Sequence, residues 1–183
     1  MNQPDNENIV YRTMDLGMIS RLGEIDRSET IDHTYEMNAG ELLKNETQLE
    51  CSTWSADELK EIQEQYRLEL SKGGMAIGAF AGETLAGFGV LGHQFVGPDL
   101  DQLPVQLMYV SRKFRRQGIG TRIMEMIGVE ASKRGAKYLY ISATETQSAV
   151  SFYFSNGSNV LDVADEELLK KEPKDIHMSK KLF

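Results

Sequence analysis

Leu107-Met108-Tyr109-Val110-Ser111-Arg112-Lys113-Phe114-Arg115-Arg116-Gln117-Gly118-Ile119-Gly120-Thr121 runs from an apolar strand into a helix through a short basic loop that carries two glycines. The pattern suits an anion. Glycine lets backbone approach a phosphate closely, and the first N–H groups of a helix have no partner within it. The helix dipole adds favourable potential at the same point. A nucleotide P-loop would need Gly-Lys-Ser/Thr at its end, but Thr121-Arg122 follows Gly120. A dinucleotide fingerprint would need a third glycine where Ile123 stands. A basic, glycine-rich helix start that binds nothing remains an alternative on the loop alone.

Downstream, Ile119, Ile123, Met126 and Ile127 share a helix face that extends to about Arg134, with Gly135 as its stop. Tyr138 to Ser142 reads as a strand, Gln147 to about Asn156-Gly157 as a helix, and Asn159 to Val163 and Ile176 to Leu182 as closing strands. Between those last strands, Asp165 to Asp175 reads as a charged, solvated loop or short helix. Upstream, Met75 to Phe80 and Thr84 to Leu91 form a hairpin across Ala81-Gly82-Glu83. Ser55 and Glu58 form a capping box for a helix that Gly73-Gly74 ends near Lys72. Ile9 to Met14 reads as a strand, followed by a helix capped by Asp15 with Leu16, Ile19, Leu22 and Ile25 on one face. In the segment 31–54, two short strands flank a turn at Asn38-Ala39-Gly40. The order implies a single domain over residues 1–183. Its class is α/β, with a mostly antiparallel sheet, flanking helices and one parallel crossover.

The 183 residues carry a net charge of −8, with 40% hydrophobic and 26% charged side chains. That balance argues against nucleic-acid binding and leaves room for a cationic substrate. No apolar run is long enough to span a bilayer, so no membrane association is expected. The stretch from Met1 to Asn8 has no leader pattern, and the lone Cys51 can form no internal disulfide. Together these point to the cytoplasm. His33, His93 and His177 lack metal-ligand spacing, so no metal is expected. No Gly-x-Ser-x-Gly marks a serine hydrolase.

The strand and loop from Leu107 to Thr121 resemble the central motif of the GCN5-related N-acetyltransferase (GNAT) family: Gln or Arg, two residues, Gly, one residue, then Gly or Ala, after a hydrophobic strand. Arg115, Gly118 and Gly120 match it. The run Ser148-Ala149-Val150-Ser151-Phe152-Tyr153-Phe154-Ser155-Asn156-Gly157 is similar to the family's Ala-x-x-x-Tyr-x-x-x-Gly helix. The likeness spans about Leu103 to Val160, and residues 31–54 have no counterpart in it.

The resemblance implies a twisted sheet with a V-shaped splay between its two central parallel strands, and acetyl-coenzyme A as cosubstrate. Met108, Tyr109 and Val110 would pair with the pantetheine arm. Arg116, Gln117, Gly118, Ile119, Gly120 and Thr121 would give the pyrophosphate its donors, and Arg115 is the motif's first position. Tyr153 takes the place of the general acid. A phenol of pKa about 10 stays protonated at neutral pH and can donate to a departing thiolate. Three positions depart from the pattern: Thr146 stands for an asparagine, Ser158 for an aromatic and Arg112 for a proline.

The acceptor implied is a primary amine on a small molecule or peptide. Such an amine needs about 4–5 kcal/mol to lose its proton at pH 7. Where some relatives place a basic glutamate, this chain has Ile141. Glu24, Asp26, Glu29, His93 and Glu145 are the remaining candidates for a base. Tyr35, Trp54 and Phe95 are candidates for stacking on a substrate, and the segment 31–54 would border the acceptor site. A catalytically silent acyl-coenzyme A sensor with the same fold is the alternative reading. A homodimer is left open.

Overall fold

A computed structural model of the chain describes residues 8–182. The N-terminal stretch expected to carry no leader lies, up to Glu7, outside the described residues. In chain order, β1 (Ile9–Met14) leads into a 3-10 helix over Leu16–Glu24 and then into β2 (Glu29–Asn38) and β3 (Glu41–Cys51). Next come α1 (Ala56–Ser71), β4 (Met75–Ala81), β5 (Thr84–Leu91) and β6 (Gln102–Val110). The chain finishes with α2 (Ile119–Lys133), β7 (Tyr138–Ala143), α3 (Gln147–Ser155), β8 (Ser158–Val160), α4 (Glu166–Lys171) and β9 (Ile176–Lys181).

Seven strands form one sheet in the order β1-β4-β5-β6-β7-β9-β8, and β2 with β3 form a separate ribbon. Every neighbouring pair is antiparallel except β6 and β7. The crossover between those two is α2, as a parallel connection requires. On one face of the sheet Ile119, Ile123 and Ile127 of α2 and Val150 of α3 pack on Leu139 and Ile141. On the other face Leu22, Ile25 and Tyr66 pack on Phe80, Phe88 and Leu107. The capping box of α1 is formed in full by Ser55 and Glu58.

Three elements differ from the sequence reading. Leu16, Ile19, Leu22 and Ile25 recur every third residue, and the segment is a 3-10 helix, whose turn holds three residues. Asp15 precedes it without a side-chain cap; its carbonyl accepts from Met18 N–H at 3.1 Å and Tyr66 Oη at 2.7 Å. The segment 31–54 belongs to a long ribbon spanning Glu29 to Cys51, not to two short strands. Ala39 (φ 50°) and Gly40 (φ 84°) both turn left-handed at its tip, which matches the twist of paired strands. The strand expected over Asn159 to Val163 is only Ser158–Val160, because the chain then bends toward Asp165, whose carboxylate caps α4.

Candidate active site

β6 and β7 pair from Gln102↔Tyr138 to Val105↔Ile141 and no further. β6 continues to Val110 paired with β5 alone. The fork begins at a β-bulge. Leu107 faces Val90 and Val105 faces Leu91, so Gln106 has no opposite residue. A bulge bends and twists its strand, and here it also changes the faces of the side chains that follow. Leu103 and Val105 belong to the core under α2, whereas Leu107 and Tyr109 belong to the core of the opposite face. Gln65 of α1 fastens the bulge, donating to Gln106 O at 3.3 Å and Gln106 Oε1 at 3.0 Å. The β7-facing edge of Met108 and Tyr109 is therefore left without a strand partner. At the fork lies a small cleft lined by Gln106, Tyr140, Ser142, Leu168 and Glu172, among others.

The basic loop sits at the open end of β6. Arg116 (φ 61°) and Gly118 (φ 79°) are both left-handed, an arrangement that turns successive amides toward one side. The first helical bond is Arg122 N–H to Gly118 O at 3.0 Å, so the amides of Ile119, Gly120 and Thr121 precede it. The two glycines meet different demands. A Cβ on Gly118 would meet nothing within 4 Å, so its backbone angle requires glycine. A Cβ on Gly120 would lie 2.8 Å from Phe152 Cε2, so the close approach of α3 requires it.

Arg112, Lys113 and Arg116 are exposed beside these amides, with Gln117 and Thr121. The Arg115 side chain is committed elsewhere. Its guanidinium donates to Val110 O and Arg27 O, both at 3.0 Å, and pairs with Glu29 at 3.5 Å. It ties the loop to the segment that precedes β2.

Tyr153 projects from α3 on the other arm of the fork. Thr146 caps that helix, its Oγ1 accepting from Ala149 N–H at 3.3 Å. Tyr153 is 8% exposed, and its ring meets Phe152 edge-on at 5.0 Å. Burial pushes its phenol far above the usual 10, and the charges of Tyr109 and Asp175 add to the rise. Tyr109 stands edge-on to Trp54 at 5.0 Å; burial raises its phenol too, opposed by Arg27.

Sequence reasoning passed over Asp175. Burial pushes its carboxyl up to about 6, with Glu172 and Glu145 adding to the effect. The only signal in the chain was a carboxylate standing immediately before an apolar strand in a charged run. The five earlier candidates for a base fare unequally. Glu24 is paired with Arg21 and accepts from Leu85 N–H at 2.7 Å, which holds it below the usual carboxylate range. Asp26 is held low by its bonds to Ser28. Glu29 is engaged by Arg115 and by Ser148 Oγ at 2.8 Å. His93 pairs with the buried Glu69 at 2.6 Å, next to the end of β5. Glu145 lies in the loop after β7, and its charge is felt by Asp175.

The ribbon borders this same region. Tyr35 N–H donates to Glu145 O at 2.7 Å, and Thr34 bridges to Thr146. Of the three aromatics singled out, Trp54 reaches Tyr109, while Tyr35 and Phe95 pack on the core beneath α2. Among the described residues no group of three or more His, Cys, Asp or Glu could hold a metal ion. No helix among them is long and apolar enough to cross a membrane.

The chain matches the family model of the acetyltransferase (GNAT) domain over residues 42–182. No curated protein matches it by sequence. Its fold is similar to that of a nourseothricin acetyltransferase, with a TM-score of 0.73 at 20% identity over 96% of this chain and 99% of that one. A candidate streptothricin acetyltransferase from Bacillus anthracis, solved with acetyl coenzyme A, gives 0.72 at 16% identity over 96% and 99%. The ribosomal-protein-S18-alanine N-acetyltransferase of Escherichia coli gives 0.61 at 15% identity over 96% and 94%. With the forked sheet, the open strand edge and the glycine loop at its end, the match over most of its length establishes that the chain belongs to the GNAT acetyltransferase family, acyltransferases that use acetyl-coenzyme A.

Proposed function

We propose that this protein transfers the acetyl group of acetyl-coenzyme A to a primary amine of a small molecule or peptide by direct attack. The observation that carries the reading is the fork. An unpaired strand edge at Met108 and Tyr109 leads to a helix start with unpartnered amides, and Tyr153 stands on the facing arm. Met108, Tyr109 and Val110 would hold the pantetheine arm as an added strand does. Arg116, Gln117, Gly118, Ile119, Gly120 and Thr121 would receive the pyrophosphate, whose charge suits the helix dipole. Arg115 acts one step back by holding Val110 and the loop in place.

The thioester supplies an activated acetyl group. The chain's own work is to orient it, keep water out and manage protons. Tyr153, buried and protonated, donates to the leaving sulfur. Its raised pKa is not a handicap by itself, because the same dry setting raises the proton affinity of a thiolate. Structures named for nourseothricin and for a ribosomal-protein alanine share the fold, so the fold does not choose the acceptor. Glu145, Glu172 and Asp175 make this mouth acidic, which favours a cationic amine.

The test is thiol release from acetyl-coenzyme A with a panel of spermidine, kanamycin, free amino acids and peptides. Turnover with at least one amine supports the reading. Tight coenzyme A binding with no acceptor in the panel favours a sensor instead.

A further inference from the structure

We propose that α4 is the wall of the fork that selects the acceptor, and that His177 is its positioning residue: with Tyr140 it latches both ends of this short helix to the fork. The proposal rests on the acetyl-transfer reading above.

The two faces of the fork divide the work. Leu139, Ile141 and Tyr153 belong to the core beneath α2 and α3, the side on which the glycine loop opens into its helix. Tyr140 and Ser142 alternate with Leu139 and Ile141 along β7, so they turn to the opposite face. There they line the small cleft, together with Gln106 of β6, Leu168 of α4 and Glu172, the C-terminal cap of α4. A thioester that reaches the fork from the glycine loop leaves this opposite mouth to the amine. The acceptor therefore meets one aliphatic side chain and one carboxylate from α4 and its cap.

Packing does not hold α4 in place. None of its six residues is buried, and a helix this short is not stable alone in water. Hydrogen bonds hold its two ends. At the N-terminal end Asp165 N–H donates to Tyr140 Oη at 3.2 Å, and Asp165 Oδ2 accepts from Gly97 N–H at 3.2 Å. At the C-terminal end Glu172 O accepts from His177 Nε2–H at 3.0 Å, and the turn that follows adds Asp175 N–H at 3.3 Å.

One ring joins these ends. A carbonyl only accepts, so Nε2 of His177 carries the proton. In the neutral ring Nδ1 is then the acceptor, and Tyr140 Oη donates to it at 2.7 Å. Ser142 Oγ lies 3.4 Å from the same nitrogen. Tyr140 is 1% exposed and His177 5%, so a partner lost from this relay leaves a buried polar group unsatisfied. His177 does not line the cleft; it acts through Tyr140 and Glu172, which do.

The experiment compares wild type with His177→Gln, His177→Asn and Leu168→Ala on the amines of the panel. Glutamine places its amide nitrogen where Nε2 stands and keeps the donor to Glu172 O. Asparagine keeps only the acceptor toward Tyr140. His177→Gln should hold the acceptor KM within about threefold of wild type, whereas His177→Asn should raise it about tenfold or more. In both, kcat should stay within about threefold and calorimetric coenzyme A affinity within about twofold. Amide exchange at residues 169–172 should speed up in the asparagine variant alone. Leu168 is half-buried and outside the latch, so Leu168→Ala tests the wall even where a His177 variant fails to fold. It should shift the kcat/KM ratio of the bulkiest to the smallest accepted amine about tenfold toward the bulky one. Equal KM values for the two His177 variants, a loss confined to kcat or coenzyme A affinity, or an unchanged ranking of amines in Leu168→Ala overturns the proposal. Wild type that binds coenzyme A and acetylates no amine overturns the underlying reading instead, and amide exchange still reads the latch.

Discussion

Asp175→Asn should make the protein more stable. The folded state holds the Asp175 carboxyl near 6 against an ordinary value of 3.8. Folding therefore favours its protonated form, and ionising it in place costs free energy. The full difference corresponds to about 3 kcal/mol. The group is partly exposed, so solvent screening reduces this to about 1 kcal/mol. The sign follows from linkage. Below pH 4 the carboxyl is protonated folded and unfolded, and the amide variant matches wild type. Between about 4 and 6 wild type falls progressively behind the variant, and above 6 the full gap is present. For a chain of this size about 1 kcal/mol is roughly 2–4 °C in Tm. Thermal unfolding followed by circular dichroism at pH 4 and 7.5 should show a gain for the variant only at the higher pH. A variant less stable than wild type at pH 7.5, or a gap that persists at pH 4, would refute the reasoning.

Tyr153→Phe removes a hydroxyl with no hydrogen bond to protein, so urea unfolding should change by no more than about 0.5 kcal/mol. Turnover should fall about 10²–10⁴-fold with coenzyme A affinity nearly intact. Gly118→Ala should cost about 1–2 kcal/mol through its left-handed backbone, with Gly118→Asn recovering part of the loss. Gly120→Ala should cost about 1–3 kcal/mol by pressing on Phe152, and Phe152→Leu should relieve it; denaturation midpoints separate the two causes. Arg115→Ala strips a donor from Val110 O and Arg27 O and should lower stability by about 1–3 kcal/mol at unchanged m-value.

Local chemistry was legible in the chain. The Ser55 capping box, the hairpin across Gly82 and the strand–loop–helix around Gly118 each depend on neighbours within a few residues, and all formed where expected. Features set by distant partners were not legible. Pro104-Val105-Gln106-Leu107 reads as continuous strand, and only the register against β5 makes Gln106 the extra residue. Arg115 reads as one more phosphate-seeking cation, yet carbonyls of Arg27 and Ser28, remote in sequence, occupy it. Asp175 reads as solvated because its burial depends on β9 docking along β7. The spacing of Leu16, Ile19 and Leu22 marks a helix face without choosing between an α turn and the tighter 3-10 turn.

The bulge at Gln106 makes the opening in the sheet a matter of chain length rather than of side-chain identity. Replacing Gln106 would loosen its hold on Gln65. Deleting it would do something different in kind. Val105 would still face Leu91 and Leu107 would still face Val90, so Leu107 and Tyr109 would keep their layer and Met108 and Val110 theirs, and only the bend would go. A straightened β6 could then zip along β7 to its end and close the slot. The room for two substrates to meet is one residue of surplus strand.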